Sequence, residues 1–378
     1  MNEVSLSKIK KYDFFQYKSI DEEGAIRNVK LKWGKYRNGD ANLTIVLITY
    51  NRFKLLKEAI KSVLYQSTKT GFQLLILDNG GIREKCEEER YVRLLNDERI
   101  LYYQQNEDEV IKNNQYSLYD AGIVLSQTEW VTIMHDDDVL HPSFVEVIES
   151  VLHDRRINKI DSIACGGICF KCAEELSEAF SMESKWNGIL HPYDEVYLLE
   201  WMKKHFLGNV MRREVYLRIG FNCNYDNING LNAIDDYVFM VRISYKYKSY
   251  YIDNSLYGYR QWEGADSSNR KWDDTALCNF FLRLSIADRR NILLRYIMKE
   301  YVKYYTVLEI EKLSNSNLNN YGREMIINKH EVFSNCGINP KKYKWKMGIR
   351  LIFIVLCVRF YRMLKSYFSW MHRFFCYD

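Results

Sequence analysis

Three consecutive carboxylates, Asp136, Asp137 and Asp138, follow the apolar run WVTIM at 130–134. Adjacent like charges repel, so such a cluster calls for a positive partner, and a hard divalent cation, Mn2+ or Mg2+, supplies one through oxygen ligands. These cations commonly share their carboxylates with phosphate oxygens, which makes a nucleoside diphosphate leaving group the matching chemistry. From the run alone, a solvated acidic turn ahead of the helix that begins near Pro142 reads equally well. A second acidic pair, Asp235 and Asp236, opens a helical pattern. There the helix dipole keeps a carboxylate ionised and competent as a base, although plain N-capping asks for the same residue types. Asp78 ends another apolar run and is placed to accept hydrogen bonds from a base or a ribose, with Thr49 and Asn51 lining the same crevice. Singly, each of these is an ordinary turn residue.

The elements that must position these groups are legible as a pattern. LTIVLIT at 43–49, FQLLIL at 72–77, and the runs at 100–103 and 130–134 are short, continuous and apolar, as strands buried on both faces are. Between and after them come helical stripes: Leu56, Ala59, Ile60, Val63 and Leu64; Leu118, Ala121, Gly122 and Leu125; and, past Pro142 at a favoured first helical position, Phe144, Val147, Ile148 and Val151. This order predicts an α/β fold, a mostly parallel sheet with helices on both faces. Ligands bind such sheets at the carboxyl ends of the strands. That rule selects Thr49-Tyr50-Asn51-Arg52, Asp78-Asn79-Gly80-Gly81 and His135-Asp136-Asp137-Asp138. A further helix is expected over 236–247, and from about residue 276 the chain reads as a helical C-terminal extension.

Bulk properties remove some classes. A formal charge of +5, from 54 basic and 49 acidic residues over 378, is no nucleic-acid-binding signature. The first 20 residues lack an apolar signal-peptide core, so a cytoplasmic location is expected, and nine scattered cysteines suit reduced thiols. No GxxxxGK[ST] occurs and no GxGxxG follows the first strand, which disfavours P-loop phosphoryl transfer, and the Thr-Tyr-Asn-Arg loop lacks the glycines of a nucleotidyltransferase. Cys165, Cys169 and Cys172 carry the spacing of a radical SAM cluster motif; the plainer reading is three core thiols.

The runs LTIVLITYNRFKLLKEAIKSVLYQS, LLILDNGG and EWVTIMHDDDVLHPSFVEVI resemble the nucleotide-binding half of the family 2 glycosyltransferases. GNVMRREVYLRIGFN is similar to the family's acceptor-side segment and AIDDYVFMVRISYKYKSYYIDNSLYGYR to the stretch carrying its base, so the resemblance spans about residues 43–262. It implies a GT-A-type, Rossmann-like fold and inverting, metal-assisted transfer of a hexosyl group from a nucleotide-sugar, with a UDP-sugar as the expected donor. Thr49, Tyr50, Asn51, Arg52, Asp78, Asn79 and Asp136 would bind the donor, and Asp137, flanked by Asp136 and Asp138, would hold Mn2+ or Mg2+. Asp236 would match the catalytic base, supported by Asp235. Two positions depart from the pattern: His135 stands where many relatives have the first Asp of the DXD motif, and Trp262 stands where many carry a metal-completing His. Weaker metal dependence follows.

Residues 341–373 mix basic side chains with Ile349, Phe360, Phe368 and Trp370, and the longest uncharged run, at 351–358, is far short of the roughly 20 residues that span a bilayer. An interfacial helix is expected, holding the enzyme peripherally on the inner face of the cell membrane, near a glycan or lipid-linked acceptor for surface polysaccharide synthesis. The other reading packs this helix on the catalytic domain or on a second copy, so a homo-oligomer stays open. The expected divisions are 1–42 as an N-terminal extension, 43–275 as the catalytic domain and 276–378 as the helical extension. A non-catalytic nucleotide- or sugar-binding protein of the same fold is the alternative function.

Overall fold

The protein is described from a computed structural model. It covers residues 3–36, 41–68, 71–105, 115–155, 157, 160–181, 184–192, 208–221, 231, 234–262, 272–290, 292–315, 326–341, 356, 360 and 363. The strands are β1 (Val29–Trp33), β2 (Ala41–Thr49), β3 (Gly71–Asp78), β4 (Ile100–Gln105), β5 (Trp130–His135), β6 (Val139–Leu140), β7 (Ser162–Phe170), β8 (His191–Pro192), β9 (Val210–Arg212) and β10 (Ser249–Arg260). The helices are α1 (Glu3–Lys11), α2 (Glu22–Ile26), α3 (Phe53–Leu64), α4 (Ile82–Leu95), α5 (Gln115–Leu125), α6 (Phe144–Leu152), α7 (Ala173–Ala179), α8 (Arg213–Ile219), α9 (Asp235–Lys246), α10 (Trp272–Asp288), α11 (Ile292–Asn315) and α12 (Lys329–Asn335).

The four apolar runs form the parallel centre of one mixed sheet, ordered β1-β4-β3-β2-β5-β9-β7-β10-β6 with β8 on β10. In β2 every residue from Leu43 to Thr49 is buried, which is why the run shows no polar alternation. The chain steps outward from β2 through α3 to β3 and through α4 to β4, then returns across the sheet by α5 to β5 on the other side of β2. Right-handed crossovers therefore put α3 and α4 on one face and α5 on the opposite one. Gly122 lets α5 lie close: a Cβ there would sit 2.4 Å from Cγ1 of Val46 and 3.1 Å from Cδ1 of Leu77. The register aligns the strand ends, pairing Thr49 with Asp78 and Ile48 with His135. All three selected loops thus leave the sheet at one edge, at the point where strand order reverses between β2 and β5.

The second half of the chain continues the same sheet. β9 runs antiparallel between β5 and β7, and β10 lies parallel to β7. Segment 1–42 does more than extend the N-terminus: β1 pairs antiparallel with β4, Ile9 and Phe14 are buried, and Nε of Arg242 in α9 donates to the Phe14 carbonyl at 3.1 Å. Pro142 is not the first helical residue. The backbone N–H of Ser143 donates to Nδ1 of His141 at 3.0 Å, Phe144 N–H donates to the His141 carbonyl at 2.9 Å, and this turn delays α6 to Phe144. In the helical extension, Arg283 of α10 is fully buried and bridges both carboxylate oxygens of Glu309 in α11 at 2.7 and 3.1 Å. Most of the 341–373 tail lies outside the described residues; Leu356, Phe360 and Met363 are helical and exposed. Among the described residues no helix is long and apolar enough to cross a membrane.

Candidate active site

The loop after β2 wraps a carboxylate. One oxygen of Asp136 accepts from the Thr49 hydroxyl at 2.9 Å and from the Tyr50 backbone N–H at 3.1 Å; the other accepts from Nη1 of Arg52 at 3.1 Å. The same Arg52 nitrogen reaches Oδ2 of Asp137 at 3.2 Å, which also accepts from the Trp262 indole N–H at 3.0 Å. The Arg52 guanidinium stacks on the Trp262 ring, 5.5 Å from its centroid, so cation, aromatic ring and two carboxylates form one unit. Asn51 adopts φ 54°, a left-handed conformation that Asn tolerates, and its side-chain oxygen accepts from Gly81 N–H at 2.7 Å. This ties the first loop to the second, where a Cβ on Gly80 would meet that oxygen at 2.7 Å and Oδ1 of Asp78 at 3.0 Å. Asn79 N–H donates to the Thr49 carbonyl at 3.0 Å.

Asp78 is fully buried, with Oδ1 accepting from Gly80 N–H at 2.7 Å and Oδ2 from the Tyr102 hydroxyl. Asp138 is equally enclosed: Oδ2 accepts from the Tyr257 hydroxyl at 2.5 Å and Oδ1 from the Arg260 backbone N–H at 3.0 Å, while Nε of Arg260 donates to the Asp137 carbonyl at 2.8 Å. Burial pushes Asp138 well above the ordinary carboxylate value, with the charge of Asp137 adding to it and the bonds from Tyr257 and Arg260 opposing it. Burial likewise lifts Asp136 to about 6, against the pull of Arg52.

His135, Asp137 and Asp138 offer ligand atoms that all lie within 4.8 Å of one another, the one metal-capable group among the described residues. Two carboxylates and an imidazole fit a divalent cation of the Mn2+ type, with oxygen ligands dominant. Asp136 lies outside this group, because the turn aims its side chain back at Thr49, Tyr50 and Arg52. His135 lies inside it, with Nε2 meeting the Tyr119 hydroxyl at 2.5 Å. Trp262 is a donor only, so it braces Asp137 and cannot ligate.

Asp235 and Asp236 lie in the first turn of α9, outside the metal-capable group, and Ile234 is the N-cap. Asp235 is buried and its Oδ1 accepts from Asp236 N–H at 2.7 Å; Asp236 is partly exposed and its Oδ1 accepts from Tyr237 N–H at 2.8 Å. The three clustered cysteines do not converge. Cys165 is buried, with Sγ donating to the Gly208 carbonyl at 3.2 Å, whereas Cys169 and Cys172 are exposed. Cys165 and Cys169 are four residues apart on the extended β7, roughly 13 Å, which is too far for one iron–sulfur cluster.

The sequence pattern did not reveal Tyr102, Tyr119, Tyr257 and Arg260 as supports of these carboxylates. Tyr102 was recoverable, since it sits on β4 beside β3 and close to the end carrying Asp78, whereas Tyr257 and Arg260 carry no local signal of what they reach.

Residues 44–168, which contain all three strand-end loops, match the family model described as glycosyl transferase family 2. Residues 44–168 form a family 2 glycosyltransferase domain. The observed mixed sheet, with its parallel centre and helices on both faces, is the α/β architecture that the sequence pattern predicts. No curated protein sequence matches the chain. Among solved structures it is similar to TarS 1-349 from S. aureus at 11% identity and TM-score 0.47, covering 78% of each chain. It is also similar to the mannosyltransferase PcManGT from Pyrobaculum calidifontis, in complex with GDP-Man and Mn2+, at 12% identity and TM-score 0.43, covering 83% of this chain and 89% of that one.

Proposed function

We propose that this glycosyltransferase moves a sugar, with inversion at the anomeric carbon, from a nucleoside diphosphate sugar to a hydroxyl of a glycan or lipid-linked acceptor. The observation that carries the reading is the junction of Arg52, Asp136, Asp137 and Asp138 at the carboxyl ends of adjacent parallel strands, inside the segment that matches the family. Donor binding falls to Thr49, Tyr50, Asn51, Arg52, Asp78, Asn79 and Asp136. Asp137 and Asp138, with His135, would hold Mn2+ or Mg2+, which when bound neutralises charge developing on a departing diphosphate. Asp236 removes the proton from the acceptor hydroxyl as it attacks, and Asp235, holding the Asp236 backbone N–H, keeps that turn in place. Tyr50, half exposed at the rim, is positioned to stack on the donor base.

The test is the melting temperature of the purified protein with UDP, GDP, dTDP or CMP, each with and without Mn2+, for the wild type and Asp137→Ala. One nucleotide at about 100 times its dissociation constant should add roughly 2.7 kcal/mol in the presence of Mn2+, and the variant should lose that gain. No shift with any nucleotide would sink the donor reading.

The tail reading is a membrane contact for surface polysaccharide synthesis. Its support is Leu356, Phe360 and Met363, spaced i, i+4 and i+7 on one helical face and 55%, 56% and 58% exposed. Full-length protein should float with vesicles containing phosphatidylglycerol, and a chain ending at residue 340 should not. Equal behaviour of the two would overturn the contact.

A further inference from the structure

Arg52 has an unusual number of obligations for a loop residue. A single nitrogen spans Asp136 at 3.1 Å and Asp137 at 3.2 Å, and the guanidinium plane is backed by Trp262. Trp262 in turn holds Oδ2 of Asp137, the oxygen that Arg52 reaches. The side chain therefore sits where its positive charge neutralises the carboxylate that belongs to the metal-capable group, and it is three-quarters shielded from water, at 24% exposure.

We propose that Arg52 and the divalent cation are alternative partners of Asp137: Arg52 is the counter-cation of the acidic cluster in the metal-free enzyme, and cation binding releases it toward the donor diphosphate. The inference rests on the proposed donor reading and concerns what regulates that site. A guanidinium and a divalent ion on one carboxylate repel each other strongly at a few ångströms in a site of reduced dielectric, so Asp137 serves one of them well at a time. Asp136, outside the metal-capable group, gives Arg52 a second anchor near the exchange, and the Trp262 face backs the guanidinium while it is held there. Arg260, the other guanidinium nearby, differs: it touches the Asp137 carbonyl rather than its carboxylate, and Glu58 balances its charge at 2.7 Å.

The test measures free Mn2+ by electron paramagnetic resonance during titration into nucleotide-free protein, for the wild type, Arg52→Gln, Arg260→Gln and Asp137→Asn. The expected result is Mn2+ affinity roughly tenfold or more higher in Arg52→Gln than in the wild type, a smaller change in Arg260→Gln, and loss in Asp137→Asn. Affinity unchanged or lowered in Arg52→Gln, with binding still lost in Asp137→Asn, would overturn the exchange while leaving the metal site standing. An equal gain in both arginine variants would overturn it too, by making the effect one of net charge. If no variant binds Mn2+ and neither does the wild type, the metal reading itself falls, and the exchange with it. A circular dichroism melt of each variant separates a change in Mn2+ affinity from misfolding.

Discussion

Asp136 illustrates how a charge can be retained at a cost. Burial raises it to about 6 although Thr49, Tyr50 and Arg52 all favour its ionised form. A carboxylate whose folded value lies above its unfolded value of 3.8 contributes fully to stability at low pH, and that contribution is lost as pH rises through about 4 to 6. The difference is on the order of 3 kcal/mol above pH 6. Asp136→Asn should therefore raise the melting temperature of the metal-free protein at pH 7.5, by about 1 to 3 kcal/mol in stability, and the gain should shrink toward pH 4.5. It should also weaken donor binding, since Arg52 loses one of its two anchors. Calorimetric melts across that pH range check the first claim; a variant less stable than the wild type at pH 7.5 would refute it. The acidic run was legible as a candidate site, yet its letters could not assign a direction to each side chain. Three consecutive carboxylates in a turn point to different neighbours, and only the fold shows that Asp136 serves the β2 loop while His135 joins Asp137 and Asp138.

Among elements, the four central strands and the helices between them were readable because burial on both faces leaves unbroken apolar runs, as in β2 and β3. Their loops followed from the carboxyl-end rule alone. What could not be read was the approach of α5 to the sheet. Gly122 shares an apolar stripe with Leu118, Ala121 and Leu125, and the stripe carries no sign that a side chain there would clash with Val46. In an ordinary helix interior Gly→Ala stabilises by roughly 0.5 to 1 kcal/mol; here the sign should reverse, with Gly122→Ala costing about 1 to 3 kcal/mol through overpacking. Urea denaturation gives the direction, and any gain in stability would refute the close approach.

For the whole molecule, a boundary at residue 43 follows the resemblance, but segment 1–42 is stitched into the fold by β1 and by Phe14 against Arg242. Nothing in its polar, lysine-rich letters announces an edge strand, because β1 is half exposed and makes its case through backbone pairing. A chain beginning at residue 41 should leave β4, buried along its whole length, as an open edge, and should elute as aggregate in size-exclusion chromatography where the full chain does not. A truncated chain that elutes and melts like the full one would show that β1 is dispensable.

The partners of Asp138 carry a consequence for how the protein is made. Its carboxylate is enclosed by the Tyr257 hydroxyl and the Arg260 backbone, which follow it in the chain by 119 and 122 residues. At about 5 to 20 residues per second, a ribosome needs roughly 6 to 24 s to supply them after Asp138 has emerged. Throughout that interval the nascent first half holds an acidic turn that lacks these two partners, so this edge of the sheet is completed only when β10 pairs with β7. Among the described strands of the sheet the last to be synthesised is thus the one that seals the first half's charge, and the order of translation becomes the order in which the site is allowed to exist.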